Sequence, residues 1–241
     1  VPGTSVTVNM RIVRPEDVTS EDGTEKIVLE YQKKFQDAGI EFLYKSEKDQ
    51  GISDAFNKGI SMADGDVVGI INSDDKLCDR ALDYVMESYD DNVGVYYGKC
   101  IVFNDNSEDA YMVVPKKDLT ILEKAMPLYH PATFVQKKVY DQYGHFDKKL
   151  RYCMDRELLL RFFKAGVKFC YIDEPLAYYR EGGVNQANYR ANLKEGTRIA
   201  VKYGMNPAKA KALEHYKYFR YCIWRTIQKL GLEKLIHKKV K

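Results

Sequence analysis

"GDVVGIINSDDKL", residues 65–77, joins a run without a polar side chain (Val67–Ile71) to two adjacent carboxylates, Asp74 and Asp75. An apolar run bounded by the turn signal Gly65–Asp66 reads as a strand of a sheet covered on both faces. Side-by-side aspartates repel each other, and Asn with Gly would make a turn more cheaply. Placed at the carboxyl end of a strand, where open α/β sheets bind ligands, the pair implies a positively charged guest. Adjacent carboxylates are hard oxygen ligands suited to Mg²⁺ or Mn²⁺, which keep positions open for substrate phosphates. The plainer reading is a solvated turn in which one Asp caps the helix that starts near Arg80.

Outward from this stretch, short apolar runs alternate with amphipathic ones. Upstream are strand-like MRIV (10–13), a helix over 25–35 with Ile27, Val28, Tyr31 and Phe35 on one stripe, and strand-like EFLY (41–44). A helix over 52–63 follows, with Ile52, Ala55, Phe56, Ile60 and Ala63 predicted inward. Downstream come a helix over 80–89, the strand VGVYYG (93–98), and a hairpin formed by CIVF (100–103) and AYMVVP (110–115). Strands at 132–138 and 168–173 enclose the helix DRELLLRFFKAG (155–166), and beyond Gly183 the chain turns helical. Asn206 before Pro207 is a helix start, a capping residue followed by proline at the first helical position. Strands alternating with helices predict an α/β fold with parallel pairing. Three segments are expected: 1–115, 116–183 and a helical extension, 184–241.

The 241 residues can bury a sizeable core, and 45% apolar with 30% charged residues is ordinary for a globular chain. A net charge of +3 gives no reason to expect nucleic acid as a partner. Five scattered cysteines without a CxxC pair fit a reducing compartment better than a disulfide framework. No apolar run reaches the ~20 residues of a membrane span, and no signal peptide opens the sequence, so the expected location is cytoplasmic.

The segment SEKDQGISDAFNKGISMADGDVVGIINSDDKL (46–77) resembles the inverting family 2 glycosyltransferases, the GT-A group that builds bacterial polysaccharides. The resemblance is carried by Glu47, Asp49, Gly51, Asp54, Ala55, Asn57 and Gly59, then Gly65 and Asp66, then Asn72, Ser73, Asp74 and Asp75. It continues through HPATFVQKKVYDQYGHFDKKLRYCMDRELLLRF (130–162), similar to the family's acceptor-side segment, and reaches YYREGG (178–183). It implies a GT-A-like, Rossmann-like, mostly parallel sheet with flanking helices. The implied activity is metal-dependent inverting transfer of a hexosyl-type sugar from a nucleotide-diphosphate donor, a UDP-sugar first. The acceptor is a saccharide or a lipid-linked one in surface polysaccharide or cell-wall synthesis.

By the same resemblance Asp74 and Asp75 hold the metal, Mn²⁺ or Mg²⁺, and the donor's ribose and diphosphate, with Asp75 the first choice for the metal. Asp17 falls where the family contacts the base. Asp49 and Asp54 face the nucleotide and donor sugar; their plainer role is capping and surface solvation. Lys58 meets phosphate or is simply solvated. Asp155 occupies the place of the catalytic base, which takes the proton of the acceptor hydroxyl; its plainer role is an N-cap. Glu157 and Arg161 read as a surface pair. His130 lines the acceptor pocket or approaches the metal, and Arg180 reaches phosphate; a lone histidine before a strand is otherwise a structural residue.

The sequence departs from the family pattern at its start. RIVRPEDVTSEDGTEKIV (11–28) corresponds to the family's second strand and turn, and the residues before Asp17 are too few for another strand, a helix and a return strand. The first βα unit is therefore expected to be missing or shortened, with GTSVTVN (3–9) standing in for its strand. This predicts weakened donor binding and an exposed edge strand, covered by a homo-oligomer or a partner. A degenerate protein that binds a nucleotide sugar or a partner enzyme without turnover is the competing reading. A nucleotidyltransferase of related fold would carry a Gly-rich, basic loop near the N-terminus, and none is present. The apolar stripe Tyr218, Phe219, Cys222, Ile223, Ile227 and Leu230 is flanked by Lys217, Arg220, Arg225 and Lys229, with HKKVK beyond. It reads as a packed helix or as peripheral attachment to an anionic membrane surface.

Overall fold

The computed structural model describes residues 7–14, 23–104, 107–181 and 188–230. The chain forms two compact units, residues 1–183 and 184–241.

The first unit opens with β1 (Thr7–Arg14), α1 (Thr24–Asp37) and β2 (Glu41–Lys48); β1 and β2 pair in parallel as a two-stranded sheet. The segments 3–9 and 10–13 are therefore not separate: residues 7–13 belong to one strand. Of the stripe expected on α1, Val28 is buried and Phe35 stacks on Phe42 of β2 at 5.3 Å, while Ile27 and Tyr31 face solvent. Next come α2 (Ile52–Met62), β3 (Val67–Gly69), β4 (Lys76–Leu77), α3 (Ala81–Glu87), β5 (Val95–Asn104) and β6 (Ser107–Val113). Two short 3₁₀ turns (Leu119–Glu123 and His130–Ala132) lead to β7 (Thr133–Gln136), α4 (Lys137–Tyr143), α5 (Met154–Lys164) and β8 (Phe169–Arg180).

The larger sheet has the order β3-β7-β5-β8-β4, with β6 also on β5. It is more mixed than the parallel arrangement expected from alternation. Only β1·β2 and β5·β8 are parallel; β3·β7, β5·β7, β5·β6 and β4·β8 are antiparallel. The β5–β6 link is a hairpin, too short for the crossover that a parallel pair needs. The apolar run 67–71 is shorter as a strand than it reads, because only Val67–Gly69 find a partner, in β7. β5 is the spine: Tyr96, Cys100 and Val102 are buried, and Tyr96 and Cys100 pack with Leu176 and Ala177 of β8 and Phe134 of β7. Gly98 lets β8 approach, since a Cβ there would lie 2.6 Å from Leu176 Cγ and 2.8 Å from the Glu174 carbonyl. At this point the β5·β8 register slips between Gly98 and Cys100, a bulge that bends β8. Beyond the bulge β8 pairs with β4, Lys76 opposite Tyr178 and Leu77 opposite Ala177. The end of β8 is thereby fixed beside the aspartate turn.

The second unit contains α6 (Tyr189–Lys202) and α7 (Pro207–Lys229). Asn206 Oδ1 accepts from the backbone N–H of Ala208 (3.0 Å) and Lys209 (3.2 Å), the capping geometry expected of Asn before Pro207. Tyr189 stacks on Tyr221 at 4.2 Å, and Ile199, Ala200 and Ala210 are buried. No helix among the described residues is long and apolar enough to cross a membrane.

Candidate functional site

The turn after β3 is built around Asp75. Its backbone N–H donates to the Asn72 carbonyl (3.1 Å), while its carboxylate accepts from Asn72 Nδ2 (3.0 Å) and from the Arg180 backbone N–H at the end of β8 (3.2 Å). Asp75 is only 7% exposed, whereas Asp74 beside it is exposed. Burial pushes the Asp75 carboxyl above the usual range, and the Asp74 charge adds to this against the two hydrogen bonds. The Cys100 thiol beneath is pushed up to about 12, by burial first and then by Asp75 and Cys78. Neither aspartate is the N-cap of α3: that position is held by Arg80, in the left-handed region at φ 60° and without a side-chain cap bond.

Arg180, expected to reach phosphate, brings its backbone N–H to Asp75, and its side chain lies toward solvent. Next to it, Tyr179 packs edge-on against Tyr129 at 5.2 Å. The Tyr179 hydroxyl is pushed up by burial and then by the charges of Asp75, Asp74, Asp155 and Glu181. Tyr179 thus lies within electrostatic reach of both acidic centres, a residue that sequence reasoning missed although YYREGG had been singled out.

Asp155 is not the N-cap of α5. Cys153 holds that position and makes no side-chain cap, so Asp155 is the second helical residue. Its Oδ1 accepts from the Arg156 N–H at 2.7 Å, and the free N–H groups of the first helical turn favour an anion there. Burial nevertheless pushes its carboxyl up, opposed by His130, and the same burial pushes His130 down. His130 stacks flat on Phe56 of α2 (5.3 Å, 9° between planes) and meets the Phe146 ring at 6.3 Å. Its Nε2 is buried and has no hydrogen-bond partner among the described residues.

Helix α2 buries Ala55 and Ile60 as expected, but its inner face also takes in polar residues and leaves Ile52 out. Ser53, Asp54, Ala55, Asn57 and Ile60 are buried, while Ile52 points outward. The polar residues grip the loop that leads to Asp155. Asn57 makes a reciprocal pair with the Phe146 backbone, Nδ2 to O and N to Oδ1, both at 2.9 Å. Ser53 Oγ donates to the Leu150 carbonyl (3.3 Å) and to Met154 Sδ (3.0 Å). Asp54 Oδ1 meets Lys148 Nζ at 2.6 Å, and its Oδ2 accepts from the Gln50 N–H at 3.0 Å. Lys148 first, then Gln50, hold its carboxyl at about 2 against burial.

Lys58 bonds the Lys48 carbonyl (2.8 Å), Asp49 (2.8 Å) and Glu47 (2.9 Å), with Asp54 at 3.5 Å. Its amine is pushed up by Asp49 and then Glu47. Asp49 is buried against it, and the N-cap position of α2 is held by Gly51. The structure thus brings Asp49, Asp54 and Lys58 together with Glu47 in one ion cluster. Asp17 lies outside the described residues.

Behind Asp155, Arg156 is buried, donating through Nε to the Leu122 carbonyl (2.8 Å) and through an Nη to that of Glu123 (2.7 Å). Glu157 and Arg161 are not the surface pair their spacing suggests. Glu157 is 1% exposed, and Arg161 bridges it at 3.1 Å while donating to the Tyr143 and His145 carbonyls. These bonds anchor the helix that carries the acid.

The profile of "Glycosyl transferase family 2" matches residues 17–147. The chain belongs to that family. No curated protein matches it in sequence. Among solved structures it is similar to S. aureus TarS 1-349 in complex with UDP-GlcNAc, with TM-score 0.56 and 16% identity over 85% of this chain and 60% of that one. It is equally similar to the mannosyltransferase PcManGT from Pyrobaculum calidifontis in complex with GDP-Man and Mn²⁺, with TM-score 0.56 and 18% identity over 86% and 59%. The chain therefore spans about three fifths of each, and at this identity the likeness establishes the shared GT-A-like fold.

The carboxylate turn fits a divalent cation. Among the described residues no group of three or more His, Cys, Asp or Glu is arranged as a protein-only metal cage. Mg²⁺-type sites commonly use one or two carboxylates, with substrate phosphates and water completing the shell. Asp75, held in place on both oxygens and crowded by the Asp74 charge, has the rigidity and the excess negative charge such an ion relieves.

Proposed function

We propose that this family 2 member is a metal-dependent inverting glycosyltransferase that moves a sugar from a nucleotide-diphosphate sugar, a UDP-sugar first, to a saccharide or lipid-linked acceptor in surface polysaccharide synthesis. The observation that carries the reading is the family match over residues 17–147 together with Asp75, buried and fixed by hydrogen bonds on both oxygens beside exposed Asp74.

Asp155 is the general base. Its carboxylate takes the proton from the acceptor hydroxyl as that oxygen bonds to the anomeric carbon and the bond from that carbon to the donor's diphosphate breaks. A carboxyl raised by burial is a better proton acceptor than one at its ordinary value, and such groups contribute about 10²- to 10⁴-fold. His130, with a buried ring nitrogen open to a partner, lines the acceptor side, and Phe56 and Phe146 fix its ring. Asp75 and Asp74 would hold Mn²⁺ or Mg²⁺, which would supply positive charge against a departing diphosphate. Asp49, Asp54 and Lys58 support the site from behind by neutralising one another and fixing the loop before Asp155.

Calorimetric titration of UDP with Mn²⁺ and with EDTA, on the native chain and Asp75→Ala, tests this. Metal-dependent binding that disappears in the variant supports the donor site. Metal-independent binding would remove the cation from the reading, and failure of UDP, GDP and CDP alike would leave a non-catalytic protein.

A further inference from the structure

In the second unit, α7 has two unlike faces. Ala210 is buried and Tyr221 stacks on α6. On the opposite side Tyr216, Phe219, Ile223 and Leu230 recur at spacings of three, four and seven, a single stripe at 3.6 residues per turn. They are 57%, 63%, 43% and 64% exposed, and Trp224 at the margin is 37% exposed. Apolar side chains of this size in a continuous row mark an interaction surface rather than scattered surface residues.

The charge around the stripe identifies its occupant. Residues 207–230 contain six Lys or Arg and one acid, Glu214. Glu214 is already paired with Lys211 at 2.7 Å and is mostly buried. Arg220 stands within the stripe with its guanidinium 5.8 Å over the Tyr216 ring, and Arg225 lies 6.0 Å over Tyr221. A second copy pairing through this face would bring more cations to it, and among the described residues α7 carries one acid, Glu214, already paired with Lys211. A nucleic acid would use the aromatic rings but leave Ile223 and Leu230 without a partner. An interface with Trp, Tyr, Phe and aliphatic side chains inward and Lys and Arg at its edges matches a helix lying in the headgroup layer of a bilayer.

We propose that the outward face of α7 docks on an anionic lipid bilayer, with Phe219, Ile223 and Leu230 entering the acyl boundary and Arg220 at its edge meeting the headgroups. None of these residues is among those assigned to sugar transfer, and the test is independent of that reading.

Trp224 is the chain's single tryptophan and reports directly on this face. The full chain is titrated with vesicles of phosphatidylcholine alone and of phosphatidylcholine with phosphatidylglycerol, following tryptophan emission and co-sedimentation. The expected result is a blue shift and co-sedimentation with the anionic vesicles, weakened by salt and much smaller with the neutral ones. Phe219→Ser with Ile223→Ser should lower binding at least tenfold. Arg220→Gln should lower it roughly fivefold on anionic vesicles only. Because these side chains are exposed, unchanged circular dichroism of the variants is expected, and the charge variant keeps the test open if the apolar one misfolds. Absence of a shift with both vesicle types would overturn the proposal. So would a blue shift that grows with protein concentration alone, which means self-association, or one produced only by an RNA or DNA oligonucleotide.

Discussion

Two aspartate centres both raise the Tyr179 hydroxyl, and they are built in opposite ways. Asp75 sits in a turn with both carboxylate oxygens already hydrogen-bonded and a second, exposed aspartate alongside. Asp155 sits in the first turn of a helix, near an aromatic wall of Phe56, His130 and Phe146 that supplies no neighbouring anion. Burial raises both carboxyls, but at Asp75 like charge adds to burial, while at Asp155 the histidine works against it. Crowded negative charge calls for a cation; a lone, desolvated carboxylate near a neutral ring suits a proton in transit. The same residue type takes two roles because the backbone places it in two environments.

The comparison breaks most visibly at Asp155. Asp155→Asn should lower the transfer rate by about 100-fold or more while leaving UDP titration unchanged. An equal loss from Asp155→Asn in binding and in rate would merge the two centres into one. Below that in size comes the support they share. Asn57→Ala removes both partners of the Phe146 backbone and should cost about 2–4 kcal/mol in urea unfolding, since buried groups are left unmade. Asn57→Ala should also lower the rate more than donor affinity, because the loop it grips leads to Asp155 rather than to Asp75.

The pH profile sharpens the contrast further. Asp155 must be ionised to accept a proton and its carboxyl is raised, so the rate should fall on acidification with a midpoint above the ordinary aspartate value of about 3.9. The smallest effect belongs to Asp54, whose carboxyl is held at about 2. A lowered carboxyl contributes stability above its unfolded value and loses it as pH falls through the folded one. The stability difference between native and Lys148→Met should therefore be present above pH about 4 and close as pH approaches 2. It should stay within about 1 kcal/mol, because Lys148 is half exposed.

The order of strands and helices was legible because apolar period and turn residues are local signals. So was the Asn206–Pro207 helix start, which the backbone N–H bonds to Asn206 bear out. The inner face of α2 was not. Apolar periodicity put Ile52 inside and left Ser53, Asp54 and Asn57 out, yet these polar side chains are buried against partners about ninety or more residues away. Nothing near residue 57 encodes the Phe146 backbone. Glu157 was misjudged for the same reason: an i, i+4 pair looks alike whether water or the Tyr143–His145 loop covers it.

Local pattern was thus enough for the α/β class and the family, since each is written in adjacent residues at fixed spacing. It could not decide strand direction in the larger sheet, the meeting of Asp75 with the end of β8, or the shared reach of Tyr179 toward three aspartates. Those depend on a hairpin too short to cross over, a bulge at Gly98 and hydrogen bonds closed across a hundred residues. Burial, and with it each carboxyl's affinity for protons, exists only once those distant segments have met.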